Sequence, residues 1–409
     1  MLELDLVQTV AFGGVMLLIG YGIRKRVPLI GRYNIPVPVV AGLLVAIAIL
    51  VARNFGEVPI KFDTTLQSQL MLAFFTAIGF AASVPLLNRG GPQVLIFLVV
   101  ATVFAVLQNI LGVAVALAFD LDPLFGVLAG SVTLTGGPAT GLAFAPLFEE
   151  AGVPAAASVA IAAAMSGIVL GGLVGGPVGT YLIERFNLKS KSPAPSTVAV
   201  TVVTAEVSNP EQAAAPVSED DDPEVLAVLK SVILILIAMW GASWVSKGFA
   251  ALALTLPANI GAMLCGAAIR NFDDYTGLIK VQHRVVEVIG AVALALFLVL
   301  ALMTLKLWEL AALATPLILN LFLQTLLVVV ACRWLVFRIM GRDYEAAVMS
   351  GGFIGFMLGT TANAMAVMGA LTARYGAAPR AFLVAPTVGA FFIDFTNALI
   401  ITAFLNVFA

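Results

Sequence analysis

Charge is what this sequence most conspicuously lacks. Only 11% of its 409 residues are charged, against 61% hydrophobic, and the mean hydropathy is +1.08. A chain with so little polar surface cannot fold as an ordinary water-soluble domain. His283 is the single histidine, which excludes a histidine-based metal centre and leaves no histidine proton relay. The two cysteines, Cys265 and Cys332, lie in separate apolar stretches and read as small buried hydrophobes, not as a disulfide or a metal pair. With a net charge of −2 and no basic tract interleaved with aromatics, nucleic acid is not an expected partner. Scattered serines and one peripheral histidine make no nucleophile–base constellation, so no catalytic residue and no cofactor is expected.

What the sequence has instead is a succession of apolar runs, most of about 17 to 30 residues and so able to cross a hydrocarbon core of about 30 Å. In the first half these are Val7–Ile23, Pro36–Ala52, Leu66–Leu87, Pro92–Phe119 and Pro154–Ile183. In the second they are Val225–Ser246, Pro257–Ile269, Val285–Thr304, Leu310–Phe337 and Pro379–Phe408. No basic region precedes the first run, which is therefore read as a retained span and not a cleaved signal. Each half also holds an interrupted apolar segment, within 124–148 and 346–373. Their centres are TLTGGPATG (Thr133–Gly141) and GFMLGTTANA (Gly355–Ala364). Paired glycines and a central proline break the helical ladder, and irregular backbone is tolerated at membrane depth only where protein buries it or a wet cavity faces it. These segments point to the passage of a small polar or charged solute.

The halves echo one another. Ile35–Leu44 (IPVPVVAGLL) resembles Leu256–Cys265 (LPANIGAMLC), Val106–Gly112 (VLQNILG) resembles Phe322–Val328 (FLQTLLV), and GGPATGLA at Gly136–Ala143 stands opposite GTTANAMA at Gly359–Ala366. Their shared order across about two hundred residues marks a repeat. The chain is thus read as an all-α polytopic membrane protein of two inverted-topology repeats, residues 1–186 and 225–409. Each repeat has five transmembrane helices plus one re-entrant hairpin. Residues 187–224 are rich in Pro, Ala and acid and read as a disordered linker. In this topology nearly all Lys and Arg fall on the linker side, with only Arg53, Lys61, Lys247 and Lys306 opposite. The excess of positive charge makes the linker side cytoplasmic, with both termini outside. The two hairpins then enter from opposite faces, as an alternating-access site requires.

The TLTGGPATG segment, the run GFMLGTTANAMAVMG and the ending YGAAPRAFLVAPTVGAFFIDFTNALI resemble the bacterial sodium/glutamate symporters, a likeness that covers nearly the whole chain outside the linker. The resemblance implies a homodimeric carrier of the bacterial inner membrane, surrounded by lipid. It would have ten helices and two re-entrant loops and import L-glutamate with sodium ions. It also implies an elevator-like motion of a hairpin-bearing core against a dimerising scaffold.

The residues can support that chemistry. Helix tips supply N–H groups and a positive dipole end for carboxylates, while unwound backbone and side-chain oxygens suit a cation. Candidate substrate contacts are Thr135, Gly136, Gly137, Pro138, Ala139 and Thr140 in the first tip, and Gly359, Thr360, Thr361 and Asn363 in the second. Small residues of this kind also serve tight helix packing in membranes, the plainer reading of the same segments. Asp394 lies near the middle of the last apolar run, where an ionised carboxylate costs on the order of 3 kcal/mol and needs a cation or water. It is expected to meet either a sodium ion or the substrate ammonium. Asn397 lies on the same helical face, whereas Thr396 points elsewhere. Candidate sodium ligands are Thr133, Thr140, Thr361, Asn363, Asp394 and Thr396. Gln108, Asn109, Asn320 and Gln324, in the fourth span of each half, either border the cavity or join helices, and Ser166 is a weaker candidate.

Other classes fit less well. A channel more typically repeats one filter around a symmetric pore, and here the two tips differ in sequence. A sodium- or proton-coupled carrier of another small carboxylate is the alternative within transporters, because helix tips bind carboxylates without demanding an amino group.

Overall fold

The computed structural model describes residues 2–54, 60–85, 91–190, 223–250 and 257–408. The first half contains α1 (Leu6–Arg26), the short α2 (Pro28–Arg32), α3 (Val37–Asn54), α4 (Thr65–Ala81) and α5 (Gly91–Ala118). It continues with α6 (Pro123–Val127), α7 (Gly137–Glu150) and α8 (Ala156–Arg185). The second half runs α9 (Pro223–Ala250), α10 (Ala258–Thr276), α11 (His283–Met303), α12 (Ala314–Ile339), α13 (Tyr344–Met357), α14 (Thr361–Tyr375), α15 (Pro379–Thr387) and α16 (Ile393–Phe408). Among the described residues the sole strand pairing joins Leu2–Glu3 to Ile60–Lys61. Six helices, α1, α5, α8, α9, α11 and α12, are long and apolar enough to cross a membrane. The chain is an all-α polytopic membrane protein.

The interruptions are narrower than the sequence suggests. In the first, α6 passes into a π turn, Leu128–Val132, where Gly130 leaves helical geometry (φ −101°, ψ −126°), and a new helix starts at Gly137. Pro138, expected to break the ladder, instead occupies the first turn of α7, where a missing N–H costs nothing. In the second, α13 continues through Met357 and α14 begins at Thr361. The hydroxyl of Thr360 accepts the Asn363 N–H at 3.3 Å and so caps the new helix. The last apolar run is also divided, since α15 ends in a second π turn, Val388–Phe392, before α16 begins. The third span stops at Ala81, short of the expected Leu87. Most of the expected linker, residues 191–222, lies outside the described residues. At its edges Ser190 donates to the Ala377 carbonyl at 2.7 Å, and Pro223 and Glu224 already belong to α9.

Packing sorts the helices into two bodies. One gathers α1, α3 and α4 with α9, α10 and α11, in which α4 packs on α10 and α11, α3 on α11, and α9 on α10. The other gathers α5–α8 with α12–α16, dominated by α8 against α13, α13 against α14, α5 against α6 and α7 against α8. Each half of the sequence thus gives its first three long helices to one body and the remainder to the other. Within the first body the pairings are reciprocal, since α4 meets α10 as α11 meets α3. Glycine sets the closest approaches: a β-carbon added to Gly112 or Gly126 would overlap the other's carbonyl, and Gly266 lies against the Thr76 carbonyl and Gly79 Cα. Direct contacts between the bodies are few. A cavity of about 400 Å³ lies between them, lined by Gln67 and Thr304 on one side and Leu142 and Ser158 on the other.

Beyond the apolar part of α10 the turn into α11 is organised by one carboxylate. Asp273 Oδ1 accepts from the N–H groups of Ile279 and Lys280 at 2.9 and 2.8 Å, and Oδ2 accepts from Val281 at 2.8 Å. Burial opposes its ionisation, yet the three N–H donors prevail and hold its pKa below the ordinary 3.8. A carboxyl with a depressed folded pKa contributes stability above its unfolded value and loses it as the pH falls through the folded one. Asp273→Asn should therefore cost about 1–3 kcal/mol at neutral pH. In thermal unfolding the gap between variant and parent should close below pH 3.8. A gap that is constant with pH would show that the carboxylate charge plays no part.

Candidate functional site

The two helix breaks meet. A β-carbon built on Gly137, at the start of α7, would lie 3.3 Å from Thr360 Cγ2 and 3.6 Å from the Gly359 carbonyl oxygen. Gly137 has φ +70°, in the left-handed region that favours glycine. Two helix N-termini, those of α7 and α14, therefore converge on one place, each bringing the positive end of its dipole and first-turn N–H groups.

Side-chain amides hold the breaks in place. Gln108, fully buried on α5, bridges the two: its Oε1 accepts from Thr135 Oγ1 at 2.6 Å and its Nε2 donates to the Met357 carbonyl at 2.8 Å. Gln324 on α12 donates in turn to the Gln108 carbonyl at 2.7 Å. Around the π turn, Asn109 Oδ1 accepts from the Ser131 N–H at 2.8 Å, and Asn320 donates to the Ala129 carbonyl at 2.7 Å. Asn397 on α16 donates to the Ser131 carbonyl at 3.0 Å. These bonds take up backbone groups that a continuous helix would have paired for itself.

Of the residues proposed from sequence, Thr135, Gly136, Gly137, Gly359 and Thr360 stand at or beside the meeting of the tips. Thr133 is turned inward, its hydroxyl donating to the Leu128 carbonyl at 2.9 Å. Pro138, Ala139 and Thr140 belong to the first turn of α7. Asn363 is buried and its amide donates to the Ile168 carbonyl on α8 at 3.0 Å, which makes it a brace between α14 and α8. Thr361 donates to the Gly389 carbonyl in the second π turn at 3.3 Å. Thr396 faces Thr102 of α5, with 3.2 Å between their hydroxyls, on a different face from Asp394 and Asn397 as helical spacing requires. Asp394 is partly buried at the start of α16 and makes no hydrogen bond or ion pair among the described residues.

Gln108, Asn109, Asn320 and Gln324 turn out to do both jobs that sequence left open, joining helices and bordering the site. Ser131 is a residue that sequence reasoning passed over. Its only signal is a hydroxyl two positions ahead of Thr133 in an apolar run. Four buried polar atoms of this cluster have no protein partner: Ser131 Oγ, Asn397 Oδ1, Gln324 Oε1 and Asn109 Nδ2. Three of them are oxygens of the kind a hard monovalent cation takes. Among the described residues no group of His, Cys, Asp and Glu gathers as a transition-metal site would require.

Gln108→Leu removes both ends of the bridge and leaves the Thr135 hydroxyl and Met357 carbonyl buried without partners. It should destabilise the protein by about 2–6 kcal/mol, at roughly 1–3 per orphaned group. A thermal midpoint in detergent equal to the parent's would show that the bridge does not hold the breaks.

The chain is similar to known proteins over almost its whole length. A family model described as sodium/glutamate symporter matches residues 2–377. The sodium/glutamate symporter of Escherichia coli (strain K12) is 40% identical over 406 residues, covering 99% of this chain and 98% of the relative. That of Shigella flexneri is similar to the same extent. The sodium/glutamate symporter of Haemophilus influenzae is 35% identical over 395 residues, covering 96% of this chain and 95% of the relative.

Proposed function

The chain belongs to the sodium/glutamate symporter family, and from that premise we propose that it imports L-glutamate in company with sodium ions. The observation that carries the reading is the convergence of two helix N-termini at the contact of Gly137 with Thr360. Substrate carboxylates bind at these N-termini, where the glycines let them reach the backbone and Thr360, whose hydroxyl only accepts among the described residues, has a hydrogen to give; Thr135 stands beside it with its own hydrogen given to Gln108. Gly136, Pro138, Ala139, Thr140, Gly359 and Asn363 shape the two tips. Sodium or the substrate ammonium is met by Asp394, which has no protein cation beside it, with Asn397 on the same face. Asn397 Oδ1 and Ser131 Oγ, buried and uncommitted, are further oxygens for sodium. Thr133, Thr140, Thr361, Asn363 and Thr396 are the remaining oxygens for sodium: the hydroxyls of Thr133 and Thr361 give their hydrogens to backbone carbonyls and Asn363 gives its Nδ2 hydrogen to the Ile168 carbonyl, which leaves oxygen lone pairs for a cation.

Around this site we place two inverted repeats, each with five crossings and a re-entrant hairpin, α6–α7 in one and α13–α14 in the other. The linker is cytoplasmic, both termini lie outside, and the bacterial inner membrane is the host bilayer. Motion is elevator-like: the body of α5–α8 and α12–α16 carries the site past the body of α1, α3, α4 and α9–α11, which forms the homodimer contact. The sparse contacts between the bodies and the cavity separating them favour such sliding.

The decisive experiment is uptake of radiolabelled L-glutamate by purified protein in liposomes, with a sodium gradient or with choline in its place at matched potential. Sodium-dependent accumulation, suppressed by unlabelled L-glutamate, is expected. Its absence from vesicles holding folded protein would move the assignment to another carboxylate or to protons. In the same assay Asp394→Asn should abolish sodium-coupled uptake, and near-normal uptake with unchanged sodium dependence would remove Asp394 from the mechanism.

A further inference from the structure

Helices α8 and α12 share a seam with two cavities in it, and their chemistry is opposite. At one end, where both helices leave their apolar stretch, a cavity of about 460 Å³ is lined by Arg185, Arg333, Arg338 and Arg342 with the aromatic rings of Tyr181 and Trp334. No carboxylate lines it. The guanidinium of Arg333 lies 4.9 Å from the centre of the Tyr181 ring and that of Arg338 lies 5.5 Å from Trp334. Among the described residues none of the four arginines makes an ion pair. Further along the same two helices, a cavity of about 620 Å³ is walled by Met165, Val169 and Leu170 of α8 and by Ile318, Leu321 and Phe322 of α12. Ser166 lines it too, which places that residue on this seam and not at the helix breaks.

We propose that this seam is a binding site for an anionic phospholipid, with its phosphate head in the arginine pocket and an acyl chain in the apolar groove. Spacing supports the match: Ser166 and Tyr181 are fifteen residues apart on α8 and Thr325 and Arg333 eight apart on α12, or about 22 and 12 Å along the helices. The groove's nearer edge on α12 therefore falls within the hydrocarbon depth of one leaflet, about 15 Å, where an acyl chain of a lipid held by the arginines lies. Planar guanidinium groups bind phosphate oxygens in pairs, and Tyr and Trp at the end of an apolar helix belong at headgroup depth. Basic pockets between transmembrane helices recognise anionic headgroups in this way. A second copy of the chain is a poor occupant, because a two-fold contact over this pocket would set arginines against arginines. The site is separate from the helix breaks, and its occupancy does not depend on the substrate assigned above.

The test uses full-length protein in which Trp240, Trp244 and Trp308 are replaced by Phe, leaving Trp334 as the reporter inside the pocket. The protein is reconstituted in mixed phosphatidylglycerol and phosphatidylcholine bilayers, with one lipid or the other brominated near the glycerol end of its chains. At equal mole fraction, brominated phosphatidylglycerol should be at least about threefold more effective at quenching Trp334. Joint R333Q and R338Q changes should erase the preference, and Ser166→Phe, which fills the groove, should weaken it. Equal quenching by the two lipids in the parent protein would overturn the site without any variant. So would a preference abolished by inorganic phosphate at constant ionic strength, which would mark a soluble-anion site. A preference that emerges only after Asp220, Asp221 and Asp222 are changed to Asn would identify the acidic segment as the occupant and equally defeat the proposal.

Discussion

Everything in the body of α5–α8 and α12–α16 follows from one constraint: a backbone that leaves the helix at membrane depth must still pair its N–H and C=O groups. In this protein side-chain amides meet it. Gln108, Asn109, Asn320, Gln324 and Asn397 come from three helices, and each gives or takes a hydrogen bond with the backbone of a broken segment or of the helix beside it. A buried amide left unmatched costs on the order of 1–3 kcal/mol, so five amides in such a place make sense only if they repair the breaks. The partner helices α5 and α12 are thereby fixed in rotation, because each carries two of these amides on the face turned to the break.

The same constraint explains the partition into two bodies. The helices that surround the breaks must pack closely enough to exclude lipid, and α8 does so with a row of small residues. Gly167 lies against the Leu358 carbonyl and Gly171 against Gly355 and the Asn363 amide. The other body has no broken helix among its long members. It packs by reciprocal crossings of α3, α4, α10 and α11, with glycines at the points of closest approach. Ser158, donating to the Lys306 carbonyl at 3.3 Å, reaches only the connection that follows α11. Cohesion is thus concentrated within each unit.

The class of protein and the two breaks were legible in the sequence because hydropathy and glycine content report directly on burial and backbone freedom, whereas of the ten expected spans only six are helices long and apolar enough to cross a membrane among the described residues. The positions of the breaks were legible only to within a few residues. Pro138 reads as a helix breaker until its place in the first turn of α7 is known, and Gly130, where the first break starts, looks like any other small residue. Asn363 shows why a role is harder to read than a location. Its sequence context matches a ligand in every respect, yet its Nδ2 braces the Ile168 carbonyl, a residue 195 positions away, and only its Oδ1 is left for a ligand. The partition into bodies left no mark on local sequence at all, since it depends on which helices pair across the two halves.

The charge arrangement sets the terms for coupling. The meeting of α7 and α14 is positive by virtue of helix dipoles, and Asp394, when ionised, carries the opposite charge with no Lys or Arg to balance it among the described residues. Such a site offers an amino-dicarboxylate both kinds of partner but leaves a carboxylate that favours a bound cation. Glutamate alone carries −1, and moving it into a cell that is negative inside costs about 2.3 kcal/mol per 100 mV. One accompanying sodium cancels that cost, and a second turns the membrane potential into a driving force. Under the proposed function, a carboxylate that is poor company for the loaded anion until a cation arrives is therefore a physical reason for the two to travel together, and that reading puts the origin of coupling in α16, outside the helix breaks.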